Sequence, residues 1–142
     1  MRIFPGFVLG VMLLMFAAVP TAADDLTGAD RFLCAPGEVT VCAMDGECTS
    51  GPPWEFNVPD FIEVDLEAGL LKTTEASGEN RQTPIPRIIR EDGMIVLQGF
   101  EVGRAFSFNI DESSGTMTAA AARNGLFVGA FGVCTPLPVN GD

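Results

Sequence analysis

The chain has 142 residues, with 19 acidic against 8 basic side chains and a formal net charge of −11. So acidic a surface repels nucleic acid and anionic lipid, which excludes both as expected partners. Histidine and tyrosine are absent, so no Ser-His or Cys-His nucleophile pair and no histidine metal ligand exists, and we predict no catalytic residue, cofactor or metal.

The first 23 residues are typical of a secretory signal peptide. Arg2 gives a short positive start, an uncharged apolar run follows, and Thr21 and Ala23 stand at the −3 and −1 positions of a cleavage site. An uncleaved membrane anchor is the alternative, which Pro20 at the end of the apolar run disfavours. We therefore expect cleavage after Ala23, a periplasmic or secreted protein, and no stable membrane insertion of the mature chain.

The mature chain divides into three parts. Residues 24 to 30 are polar and predict a flexible N-terminal segment, and residues 31 to 135 form a single domain. Residues 136 to 142 are a tail that two prolines keep out of a β-ladder.

Alternation of apolar and polar residues predicts short β-strands through most of the domain. In the clearest run, 61 to 67, apolar residues at 62, 64 and 66 alternate with Glu63, Asp65 and Glu67. This acidic stripe is either a solvated strand face or a site for a cation or a partner. Further strands are predicted in the runs 38–44, 68–74, 86–92, 94–100, 104–110, 116–122 and 126–134.

Turn signals separate these strands. Asp92-Gly93 predicts a type I′ hairpin, and Asn124-Gly125 predicts another tight turn. The alanine-rich run at 116 to 122 could be helical, but it is short and lies between two turns, which favours a strand. Residues 74 to 86 lack a strand pattern and predict the longest and most mobile loop.

About eight short strands with tight turns and no convincing helix indicate an all-β fold, an antiparallel up-and-down meander. Closing such a meander into a small barrel removes its exposed edges, so we favour a closed barrel over a two-sheet sandwich.

The four cysteines predict two disulfides. There is no Cys-x-x-Cys redox motif and no paired spacing for zinc, and an even count in an oxidising compartment is typical of disulfides. Cys42 and Cys48 flank Asp45-Gly46 and would face each other across a hairpin. Cys34 and Cys134 would then join the first strand to the last.

Aromatic residues supply the candidate ligand site. If the barrel interior is open, it could admit a small apolar molecule; if it is packed, loops and the outer surface must carry recognition. Five residues are the candidates for lining such a site: Trp54, Phe106, Phe108, Phe127 and Phe131. The polar run 111 to 115 could ligate calcium or be a plain turn.

Four short motifs carry a resemblance to known proteins: Phe32 and Cys34, the close cysteine pair, the strand Ile-Glu-Val-Asp-Leu and the terminal Phe-Gly-Val-Cys. In these motifs the chain resembles small exported four-cysteine proteins of Gram-negative bacteria, alphaproteobacteria in particular. More loosely, the plan is similar to the barrels of lipocalin-like proteins and bacterial metalloprotease inhibitors. The Gly-x-Trp start of those inhibitors is missing here.

Taken together, these features favour a monomeric, non-enzymatic periplasmic β-barrel that binds a small apolar ligand or a periplasmic protein. The alternative is an inhibitor of a secreted or periplasmic protease that acts through residues 24 to 33 or 74 to 86. A hydrolase that uses paired carboxylates is a third hypothesis.

Overall fold

The computed structural model describes residues 24 to 74 and 80 to 138, and most of them lie in ten β-strands. Pro53–Phe56 forms a short 3₁₀ turn, and the described residues contain no α-helix, so the all-β prediction is confirmed. None of the described segments is a helix long and apolar enough to cross a membrane. The strands are β1 (Arg31–Ala43), β2 (Cys48–Gly51), β3 (Ile62–Asp65), β4 (Leu70–Thr73), β5 (Gln82–Pro84), β6 (Arg87–Glu91), β7 (Met94–Glu101), β8 (Arg104–Asp111), β9 (Thr116–Arg123) and β10 (Leu126–Pro136).

The strands form one antiparallel sheet in the order β5-β4-β3-β1-β10-β9-β8-β7-β6. Strands β6 to β10 follow the predicted meander, and the first strand pairs with the last along β1 and β10. Strand β1 is long enough to pair with β3 through its first part and with β2 through its second part. The alanine-rich run is strand β9, as predicted.

The sheet curls into a half-barrel because its two ends are consecutive in the chain. Strands β5 and β6 lie at opposite ends of the order and are joined only by Ile85 and Pro86. No backbone ladder joins these two strands in the described part of the chain, so the closure expected from the sequence stops short of a complete ladder. Pro84 and Pro86 lack the N–H donors that such a ladder would need.

The hairpin turns put unusual demands on the backbone. Asp92 and Gly93 have φ values of 54° and 74°, which is the type I′ geometry predicted from the sequence. The β7–β8 turn uses the same sign of φ at Val102 and Gly103, with values of 45° and 74°. A β-branched residue rarely adopts positive φ, so this turn is strained. The Val102 side chain is 81% exposed.

The core lies on the concave face of the curled sheet. Its largest fully buried side chains are Phe32, Leu26, Ile95, Leu97, Ile110, Val39 and Val64. Leu26 belongs to the N-terminal segment that the sequence analysis expects to be flexible. Its side chain is fully buried, and its N–H donates to the carbonyl of Glu112 at 2.7 Å. Leu26 therefore fastens this segment over the core.

Both predicted disulfides are present, and no free cysteine remains among the described residues. Cys34 and Cys134 are direct cross-strand partners on β1 and β10, and both are buried. Cys42 and Cys48 are partners in the β1–β2 hairpin, where Cys48 is exposed. The pairing indicates an oxidising, extracytoplasmic environment.

Several boundary predictions are revised. Residues 82 to 84, placed in the long loop, form β5 because they pair with β4, and Pro136 at the start of the predicted tail is still in register with Phe32. The predicted signal peptide at 1 to 23, residues 75 to 79 of the loop and the end of the tail at 139 to 142 lie outside the described residues.

Candidate functional site

A cavity of about 170 Å³ lies in the concave face of the half-barrel. Strands β3, β4, β8, β9 and β10 supply its mostly apolar wall. Because the exposed Arg104 also borders it, the cavity reaches the surface at that edge. The apolar side chains of the wall are Pro36, Val58, Pro59, Ile62, Leu71, Phe106, Phe108, Ala119, Ala120, Ala121, Val128 and Ala130.

Small side chains on β9 explain why the interior is not filled. Ala121 is the cross-strand partner of Phe106 on β8 and of Val128 on β10, and Ala119 is the partner of Phe108 on one side and of Ala130 on the other. A methyl group therefore stands at each position where a larger side chain would close the gap. Space remains in front of the two aromatic rings.

The two aromatic side chains hold each other in place. The rings of Phe106 and Phe108 meet edge to face, with their centroids 6.0 Å apart. Such a pair is a favourable aromatic geometry. Phe108 is buried and belongs to the core, whereas Phe106 is half-buried and packs at the core's edge. Phe106 is therefore the ring that a bound molecule would meet first.

A polar rim borders the apolar wall on one side. Of the residues that the structure describes, it carries three cationic side chains, Lys72, Arg81 and Arg104, and one carboxylate, Glu101. Glu101 accepts a hydrogen bond of 2.7 Å from the buried Thr83 hydroxyl and lies 3.4 Å from Nε of Arg81. The Thr83–Glu101 hydrogen bond links the edge strand β5 to β7, the neighbour of the other edge strand, across the gap in the sheet ladder.

The acidic stripe of β3 is ion-paired rather than freely solvated. Asp65 is only 8% exposed, and its carboxylate lies 2.9 Å from Lys72 Nζ and 3.9 Å from Arg31 Nε. Glu63 accepts a 2.7 Å hydrogen bond from the same arginine. Glu67 is exposed. The sequence-based picture of a solvated acidic face is thus corrected, because two bases on β1 and β4 neutralise two of the three acids.

Hydrogen bonding is the main cause of the lowered pKa of Asp65. The backbone N–H of Ala68 lowers the pKa of this carboxyl most; burial opposes that effect, and Lys72 and Arg31 lower the pKa further. Asp65 is therefore held ionised and fixes the Lys72 ammonium beside the cavity.

Arg90 contacts both the N-terminal segment and the turn after β8. It donates to Glu112 at 2.6 Å and reaches Asp30 and the Leu26 carbonyl at 3.3 Å. These contacts hold the N-terminal segment against the sheet.

Two of the five predicted ligand-lining residues border the cavity, and three do not. Phe106 and Phe108 line it. Trp54, Phe127 and Phe131 are 69%, 55% and 73% exposed and lie outside it. On β10 the inward residues are Val128 and Ala130, so the alternation of the strand places both phenylalanines on the outer face.

The cationic rim and most of the wall were not predicted from the sequence. Lys72, Arg81 and Arg104 belong to different strands or loops, and no local pattern joins them. One signal was available, since the consecutive alanines of β9 follow directly from residues 119 to 122. Small residues facing predicted aromatic strands indicate room between them.

The described residues hold no group of three or more acidic, cysteine or histidine side chains suited to a metal ion. The polar run at 111 to 115 is a turn in which Asp111 accepts hydrogen bonds from Ser113 and Ser114. These bonds lower the pKa of Asp111 and occupy its carboxylate locally.

Comparison with known proteins gives one short similarity. No family model and no solved structure matches the chain. The 3-isopropylmalate dehydratase small subunit 1 of Thermotoga maritima is 44% identical over 45 residues, which is 29% of this chain and 27% of that protein. The chain thus spans about a quarter of the length of the curated relative it matches, too short a stretch to place it in that family.

Proposed function

We propose that this protein is exported to the periplasm and binds a small apolar ligand in the cavity of the half-barrel, without catalysing a reaction. The observation that carries the proposal is the apolar space in front of Phe106 and Phe108 on β8 and of their alanine partners on β9. A wall of apolar side chains with a few polar groups at one edge is typical of ligand sites.

The size of the cavity limits the ligand. An apolar cavity of about 150 Å³ accommodates benzene, and this one measures about 170 Å³. One aromatic ring or an acyl chain of about six carbons therefore fits, whereas drug-sized ligands occupy sites of about 300 Å³ or more.

The groups around the cavity favour binding over catalysis. Glu101 is the one acidic side chain in the described part of the chain that borders it, and its carboxylate already accepts from Thr83 and lies beside Arg81. Hydrolysis by paired carboxylates needs two acids with different pKa values at the reacting bond. The sequence has no histidine to replace either of them.

The compartment fits this role. The two disulfides belong to an extracytoplasmic environment. Together with the signal-peptide pattern of the first 23 residues, they support export and, by the resemblance to proteins of Gram-negative bacteria, the periplasm. Intact mass of the protein recovered from the periplasm tests this part, with a chain that begins at Asp24 as the expected product.

Titration with hexan-1-ol, followed through the methyl signals of Ile62 and Leu71, tests the binding role. We expect saturable shifts in the wild-type protein and their loss in Ala121→Leu, because the larger side chain fills the cavity. Ala122→Leu is the matched control, since Ala122 is exposed on the outer face. Absence of saturable binding to the wild type would contradict the proposal.

A second candidate is recognition of a periplasmic protein by the outer face of β10. Phe127, Phe131 and Val133 are each at least half exposed and form an apolar stripe along this strand. Contiguous exposed apolar surface is typical of protein contacts. Pull-down from periplasmic extract with wild type and with Phe131→Ser tests it; an identical set of captured proteins would count against the stripe.

The N-terminal segment gives little support to the alternative that the protein inhibits a protease. Leu26 is buried in the core, so residues 24 to 30 are not a free segment that could enter a protease cleft. The inhibitor alternative then depends on the 74 to 86 region.

A further inference from the structure

We propose that the ligand of the cavity is a small carboxylic acid, with a short acyl chain or one aromatic ring inside the cavity and its carboxylate at the cationic rim. This inference rests on the proposed binding function and adds the chemical class of the ligand. Arg104 is the residue assigned to the carboxylate.

The charge of the rim opposes the charge of the molecule. The chain carries a net charge of −11, yet among the residues that the structure describes, those that border the cavity comprise three cations and a single carboxylate. Three of the eight basic residues of the chain are thus collected at one small opening. A local positive field at the mouth of an apolar cavity attracts an anionic amphiphile and repels a cationic one.

Arg104 is the rim cation with unused hydrogen-bonding capacity. Lys72 is held by Asp65 at 2.9 Å, and Arg81 lies beside Glu101 at 3.4 Å. Arg104 is exposed and makes no ion pair or side-chain hydrogen bond with the residues that the structure describes. Its planar guanidinium presents paired N–H donors that match a carboxylate in a bidentate geometry.

Glu101 limits the charge that the rim accepts. It is the direct cross-strand partner of Arg104 at the β7–β8 turn, so an anion at Arg104 comes close to a fixed negative charge. The repulsion grows with ligand charge. The rim should therefore bind a singly charged carboxylate more favourably than a doubly charged phosphate.

The position of Arg104 matches the two-part ligand. It is the first residue of β8, and Phe106 and Phe108 follow on the same strand with their rings on the cavity wall. A molecule with its apolar part against these rings carries its head group toward the end of the strand where Arg104 stands. The apolar part and the head group are thus recognised by one strand.

Three probes with one hydrocarbon tail test the inference: hexanoate, hexan-1-ol and hexylammonium. Dissociation constants are measured by the same methyl-signal titration at low salt, in wild type, Arg104→Gln and Arg87→Gln. Arg87 is an exposed arginine on β6 that does not border the cavity, so its variant controls for the loss of one positive charge.

We expect wild type to bind hexanoate about tenfold more tightly than hexan-1-ol and to bind hexylammonium least tightly. Arg104→Gln should remove the preference for hexanoate while leaving hexan-1-ol binding unchanged, and Arg87→Gln should retain it. Added salt should weaken hexanoate binding alone.

Equal affinity for hexanoate and hexan-1-ol would overturn the inference and leave the proposed function standing. Persistence of the hexanoate preference in Arg104→Gln would overturn the role of this residue. Failure of all three probes to bind would overturn the binding function itself.

Discussion

The ring of Phe106 lies directly over the backbone of Gly99, its cross-strand partner on β7. A Cβ atom at Gly99 would stand 2.3 Å from Cζ of Phe106 and 3.0 Å from Cδ of Pro86. Since real Cβ atoms do not approach other atoms so closely, no residue other than glycine leaves this ring where it is. The position of one cavity wall thus depends on the absence of a side chain on the neighbouring strand.

Gly99→Ala should therefore move the Phe106 ring into the cavity. We expect the affinity for hexan-1-ol to fall by about tenfold or more, with a loss of unfolding free energy of about 1–3 kcal/mol from overpacking. Methyl-signal titration and urea unfolding measure the two effects. Wild-type affinity in this variant would show that the ring is not fixed by Gly99.

A second close approach lies where β1 is irregular. The register of β1 and β10 shifts between Pro36 and Val39, and a Cβ at Gly132 would stand 2.5 Å from the Ala35 carbonyl oxygen. Gly129 on the same strand has its nearest such neighbour at 4.0 Å. Gly132→Ala should cost about 1–3 kcal/mol of unfolding free energy, whereas Gly129→Ala should be close to neutral.

Urea unfolding of both glycine variants measures this difference. Two similar midpoints would contradict the tight approach of β1 to β10 at the irregularity. Since both positions lie in one strand and neither has a positive φ, the comparison isolates the contact.

The two disulfides should contribute unequally to stability. Cys34 and Cys134 are separated by 100 positions, and Cys42 and Cys48 by 6. In the chain-entropy model these loops are worth about 5 and about 2 kcal/mol. We expect replacement of both cysteines by alanine to lower the urea midpoint far more for the first disulfide than for the second. The reverse order would contradict the view that the Cys34–Cys134 bond between β1 and β10 is the more stabilising of the two.

Asp65 should make stability depend on acidic pH. Its pKa is lowered in the folded protein, so its ionised form stabilises the fold above the unfolded value of about 3.9, and this contribution is lost as the pH falls through the lower folded pKa. Asp65→Asn should cost about 1–2 kcal/mol near neutral pH, allowing for partial solvent screening.

The difference between wild type and Asp65→Asn should begin to shrink below about pH 4, where the unfolded-state carboxyl takes up a proton, and should vanish below the lower folded-state pKa, where the folded carboxyl is protonated too. Urea unfolding at a series of pH values measures it. Glu67→Gln is the control, since Glu67 is exposed and should show little difference at any pH. A constant Asp65→Asn difference down to about pH 2 would contradict the linkage.

Sequence patterns were sufficient for the architecture because the physical signals are local. The turn at Asp92-Gly93 requires two positive φ values, and aspartate and glycine are among the residues that adopt positive φ most readily. The disulfide of Cys42 and Cys48 follows from the same reasoning about a hairpin. Strand existence follows from alternation, as in β3.

The inner face of β10 could not be predicted because both of its faces are apolar. Val128 and Ala130 alternate with Phe127 and Phe131, so alternation gives no preference for one side. The large rings were the natural choice for the interior. The structure places the smaller residues inside, where Val128 and Ala130 line the cavity.

The cationic rim could not be predicted either, because the curl of the sheet creates it. Lys72 on β4 and Arg104 on β8 are distant both in sequence and in strand order. They border one opening only because the short β5–β6 connection brings the two ends of the sheet together. Likewise, the burial of Asp65 depends on bases supplied by other strands.

Crystals of the protein pressurised with xenon test the central claim, that the interior holds an apolar space rather than a packed core. Xenon binds in dry apolar cavities. We expect a xenon atom among Leu71, Phe106 and Phe108, and none there in Ala121→Leu crystals treated in the same way. A wild-type interior that excludes xenon, with the Phe106 ring turned into the space, would contradict it.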